Sequence, residues 1–88
     1  MRVMVRGKYK APHNIVVFLT KYMGKYPDEV TAIILTMEHT VLVEYGKDFF
    51  YINYEMFDDV AEYLIDVMFN YKVKEMLRGR EEDGYFSR

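Results

Sequence analysis

Val3 and Val5 alternate with Arg2, Met4 and Arg6 at the start of the chain, the period-two pattern of a short strand. Residues 7–11 form a basic connector, and Pro12 suits the first position of a helix. Ile15, Phe18, Leu19, Tyr22 and Tyr26 then fall at offsets of three, four, seven and eleven, one face of a helix that Gly24 would close. Tyr26-Pro27-Asp28 reads as a turn. Three strands follow, near Val30–Met37, Thr40–Tyr45 and Phe49–Tyr54, with Gly46-Lys47 as a two-residue hairpin turn and Glu38-His39 as a weaker one. Glu55 opens the longest helix, which runs towards Arg78, with Gly79 placed to end it. The expected fold is α+β, a four-stranded, mainly antiparallel sheet with two helices in the order β-α-β-β-β-α. Residues 1–79 make one domain, and residues 80–88 a charged, frayed tail.

If both hairpins have two-residue turns, counting sets the register: Tyr45 faces Asp48, Val43 faces Phe50, and Val41 faces Ile52. The same count brings Ile34 to Val43 and Thr36 to Val41. That face, with Ala32, is the natural floor for the helices. The other face collects Ile33, Leu35, Met37, Leu42, Phe49 and Tyr51, with Thr31, Thr40 and Glu44 at its margins. An antiparallel sheet with one wet face alternates apolar with polar residues, and this one does not. Three readings follow. Helices on opposite sides would make both faces core; helices on one side would leave a surface for a protein partner, a second copy included; or Phe49 and Tyr51 would stack nucleobases.

The last helix carries two stripes. Phe57, Val60, Leu64, Val67, Met68 and Tyr71 form the expected core face. Ile65, Phe69, Val73 and Met76 form a second one, a dimer or partner contact if the helix is continuous past Asn70. Glu55, Asp58, Asp59, Glu62 and Asp66 make an acidic ribbon between them: a DNA-mimicking surface, a dock for a basic protein, or a solvated face suited to the helix N-terminus.

Composition narrows the function classes. The 88 residues hold no Cys, which rules out disulfides and thiolate metal sites. No signal-peptide pattern and no membrane-length apolar run is expected, and the cytoplasm is the expected compartment. Net charge is −2, with +6 in residues 1–25, −9 in residues 26–66 and +1 in residues 67–88. Such segregation either steers a charged partner or is neutralised within the fold.

Candidate chemistry is sparse. Ser87 is the single Ser, His13 and His39 have no ligand-spaced partner, and the five Gly are scattered. No enzyme, cofactor or metal site is expected, a site shared between subunits apart.

The sequence reading is therefore a non-catalytic, homodimeric protein-interaction domain, of the inhibitor or adaptor kind that viruses and mobile elements direct at host proteins. Its contacts would be Leu35, Leu42, Phe49 and Tyr51 on the sheet and Ile65, Phe69, Val73 and Met76 on the helix. The alternative is single-stranded nucleic-acid binding through Phe49 and Tyr51 with the basic Arg2, Arg6, Lys8 and Lys10. A small-molecule sensor with an aromatic pocket is a third class.

Overall fold

The computed structural model describes residues 1–57 and 61–86, the side chains of residues 56 and 80–86 excepted. Strand β1 (Arg2–Arg6) leads into helix α1 (His13–Thr20) and then strands β2 (Thr31–Leu35), β3 (Thr40–Tyr45) and β4 (Asp48–Asn53). A 3₁₀ turn at Tyr54–Met56 precedes helix α2 (Ala61–Phe86). The strands lie side by side in chain order, β1-β2-β3-β4. β1 is parallel to β2, while β2–β3 and β3–β4 are antiparallel. Parallel neighbours cannot be joined by a hairpin, so the chain uses α1 and its loops to return from the end of β1 to the start of β2.

The β3–β4 register is the expected one, with Tyr45 opposite Asp48, Val43 opposite Phe50 and Val41 opposite Ile52. Gly46 sits at φ 62°, the positive value that a two-residue hairpin of type II′ requires at its first central residue. Across β2–β3 the register differs by two from the expectation: Ile34 faces Val41 and Ala32 faces Val43. The turn there spans residues 36–39, with His39 at φ 54°. Thr36 starts this turn, and its N–H and hydroxyl both donate to the Arg6 carbonyl of β1, at 2.9 and 3.3 Å. Gly7 makes this closure possible, since a Cβ there would lie 2.2 Å from Thr36 Oγ1.

The α1 face is as expected, but the helix stops at Thr20. Thr20 Oγ1 donates back to the Val16 carbonyl at 2.6 Å, and residues 21–25 continue as turns that still bury Tyr22. Phe18, Leu19 and Tyr22 join Ala32, Ile34, Val41, Val43 and Ile52 in one core with residues of α2. The Phe18 and Phe69 rings meet edge to face at 5.5 Å, so the two helices touch each other above a single face of the sheet.

Two expectations about α2 are corrected. Gly79 does not end it: this residue stays outside the positive-φ region that a glycine stop uses, and the helix continues to Phe86. The stripes also exchange roles. Ile65, Phe69, Val73 and Met76 are buried in the core, whereas Leu64, Val67, Met68 and Tyr71 are exposed. Phe57 lies before α2 and Val60 falls outside the described residues. The buried stripe is the one whose flank, Asp66 and Asn70, accepts the hydroxyls of Tyr22 and Tyr26. Among the described residues no helix is long and apolar enough to cross a membrane.

Candidate protein-docking face

With both helices on one side, the other side of the sheet is left open. Side chains alternate along each strand, so Arg2, Met4 and Arg6 of β1 share this face with Thr31, Ile33 and Leu35 of β2. Thr40, Leu42 and Glu44 of β3 and Phe49, Tyr51 and Asn53 of β4 complete it. The register arranges these twelve positions in three rows. One outer row reads Arg2, Thr31, Glu44, Phe49. The other reads Arg6, Leu35, Thr40, Asn53. The middle row, Met4, Ile33, Leu42, Tyr51, is apolar from edge to edge.

Exposure follows position in the rows. Ile33, at the centre, is only 5% exposed, and Leu35 and Leu42 are half-buried by their neighbours. Met4, Phe49 and Tyr51, towards the two edges, are about half exposed or more, at 47%, 60% and 57%. The Phe49 and Tyr51 rings hold each other edge to face at 5.6 Å. The structure thus brings together Leu35, Leu42, Phe49 and Tyr51. It adds Met4, which sequence reasoning missed because periodicity does not reveal which strand lies beside β2. Its parity, opposite to Val3 and Val5, was the available signal.

The other expected site residues do not assemble with this face. Ile65, Phe69, Val73 and Met76 are interior and unavailable to a partner. The acidic ribbon is not one helical face. Glu55 lies in the 3₁₀ turn and its Oε1 is 2.7 Å from His39 Nδ1. Asp58 and Asp59 fall outside the described residues. Asp66 accepts the Tyr22 hydroxyl and lies 3.3 Å from Lys21 Nζ, so it joins α2 to the turns that follow α1. Glu62 is exposed. Of the basic set, Arg2 and Arg6 lie at the β1 edge of the open face, and Lys8 and Lys10 are exposed in the connector. Arg2 Nε donates to the Asp28 carbonyl at 3.2 Å.

A shallow cleft of about 290 Å³ opens between β4 and α2, lined by Asp48, Phe49, Phe50, Lys72, Glu75 and Met76. Its charged groups are of both signs, with Lys72 Nζ 5.5 Å from the Phe50 ring centroid. Among the described residues no group of three or more His, Cys, Asp or Glu could hold a metal ion. Burial raises the phenols of Tyr26 and Tyr54 above their ordinary value, with the Glu55 charge adding to the effect on Tyr54. Neither tyrosine lies on the open face.

No protein-family model, no curated protein and no solved structure matches this chain.

Proposed function

We propose that this chain is a non-catalytic protein-interaction domain that docks through the open face of its sheet, and that the occupant is a second copy. The observation that carries this reading is the uninterrupted apolar row Met4, Ile33, Leu42, Tyr51, which neither helix covers. Strands about 4.8 Å apart and residues about 3.3 Å apart give a face roughly 15–19 Å on each side. Two such faces packed together bury on the order of 1,000 Å² in total, the lower end for a specific interface. A small domain gains from that burial, since its own core covers a modest share of its surface.

The charge pattern favours a protein partner over a nucleic acid. Base stacking uses aromatic rings set along a cationic track. Here the inner positions are the aliphatic Ile33 and Leu42, and Phe49 is paired with Glu44. The arginines stand three strands away from the aromatic pair.

Molar mass by light scattering, across a concentration series at low and high salt, tests the reading. The expected result is a dimer that persists at high salt, because hydrophobic burial is not screened. Leu42→Glu should return it to monomer with an unchanged far-UV circular dichroism spectrum. A monomer at every concentration and salt overturns the proposal. Tight binding of a single-stranded oligonucleotide, lost at high salt and in Phe49→Ala, would replace it with the nucleic-acid reading.

A further inference from the structure

We infer that the two copies meet about a two-fold axis parallel to the strands, which lays β1 of one copy over β4 of the other. This rests on the sheet-to-sheet dimer proposed above and specifies its geometry. Identical faces that pack together are related by an axis lying between them, parallel to both sheets. The three rows make the possible directions of that axis unequal.

An axis along the strands keeps every row over itself and reverses strand order. In the middle row Met4 then meets Tyr51 of the second copy, a sulfur–aromatic contact, and Ile33 meets Leu42. In the outer rows Arg2 lies over Phe49 of the second copy, a cation above an aromatic ring with Glu44 beside it, and Arg6 lies over Asn53. No two like charges face each other.

The axis across the strands and the two diagonal axes each bring arginines together. An axis across the strands lays β1 over β1 and exchanges the outer rows, so Arg2 faces Arg6 of the second copy at two symmetric places. Arg2 and Arg6 also occupy the two β1 corners of the face, so each diagonal axis, the orthogonal packing of two sheets, runs through one of them. One diagonal stacks Arg2 on its own copy and the other stacks Arg6. Like charges brought together in a closing interface are strongly disfavoured. The arginine pair therefore acts as an orientation key on an otherwise apolar face.

The absence of Cys makes site-directed spin labelling clean. Lys47→Cys places a label on the exposed β3–β4 turn, and Glu38→Cys places one on the exposed β2–β3 turn at the opposite end of the sheet. With the axis along the strands, each turn lies near its own copy, and the backbones at both label pairs are roughly 10–15 Å apart. With the axis across the strands, both pairs are roughly 20–25 Å apart. Pulsed dipolar spectroscopy on the dimer should find both distances short. Arg2→Glu should raise the dimer dissociation constant about tenfold, because a carboxylate then faces Phe49 and Glu44.

Either label pair at the longer distance overturns the axis. So does an Arg2→Glu variant whose dissociation constant is unchanged or lower, the result expected where Arg2 faces Asn53, its own copy or Arg6. A wild-type chain that is monomeric by light scattering removes the dimer itself, an outcome separate from a dimer with the wrong distances.

Discussion

Leu64 and Ile65 are adjacent on α2 and equal in composition, yet Leu64 is 65% exposed and Ile65 is 5% exposed. Each belongs to a stripe. The inner one, Ile65, Phe69, Val73 and Met76, runs about 16 Å along the helix axis. That is close to the length of a strand of five or six residues, about 17–20 Å, and the helix packs on β3 and β4. The outer one, Leu64, Val67, Met68 and Tyr71, is cut short by Lys74, Glu75 and Arg78. The flanks differ too. Asp66 and Asn70, beside the inner stripe, accept the hydroxyls of Tyr22 and Tyr26 from the α1 segment. Two stripes of similar apolar content are thus separated by length and by what their polar neighbours can bond to.

The largest test of this contrast is Phe69→Ala. Phe69 is fully buried, and its ring meets Phe18, Tyr22 and Phe50 at 5.5, 4.7 and 5.9 Å. Truncation removes the ring on which both helices and β4 converge, with an expected cost of about 3–5 kcal/mol by urea denaturation. That is a large share of the stability available to a domain of this size. A cost under about 1 kcal/mol would mean that the inner stripe is not the core.

The same contrast marks where the sequence was legible. The two faces of β3 and β4 could be read directly, because Gly46-Lys47 leaves one way to close that hairpin. Leu42, Phe49 and Tyr51 were assigned to the open face on that basis. The β2–β3 register came out two residues off because the turn holds four residues, 36–39, where two were expected. Thr36 at its start bonds to Arg6 of β1, a tertiary contact made possible by Gly7, far away in sequence. The α2 stripes were exchanged because periodicity reveals two apolar faces without revealing which of them meets the sheet. What separates them is tertiary: Asp66 and Asn70, on the flank of the inner stripe, meet the hydroxyls of Tyr22 and Tyr26. Which strand lies beside β2, and hence the place of Met4, is a property of topology that local pattern does not encode.

An intermediate effect is expected on the flank between the stripes. Tyr26→Phe removes the hydroxyl that donates to Asn70 and should cost about 1 kcal/mol at neutral pH. Burial raises the Tyr26 phenol in the folded chain. Its contribution is therefore fully present below the unfolded tyrosine value near 10 and is lost as pH rises through the higher folded value. Denaturation midpoints followed into alkali should fall in wild type and fall less steeply in Tyr26→Phe. Equal slopes would show that this phenol is as free to ionise in the fold as in the unfolded chain.

The smallest effect is the sharpest test of the assignment. Val67 is half exposed on the outer stripe, and Val67→Gln should change stability by no more than about 0.5 kcal/mol. A slight gain is expected, since Gln is the better helix former. The variant should also leave the molar mass unchanged, because α2 covers the opposite side of the sheet from Met4, Ile33, Leu42 and Tyr51. If Val67→Gln dissociated the dimer while Leu42→Glu did not, the two exposed apolar surfaces would exchange roles: the outer stripe would be the interface, and the open sheet face would be free for something else.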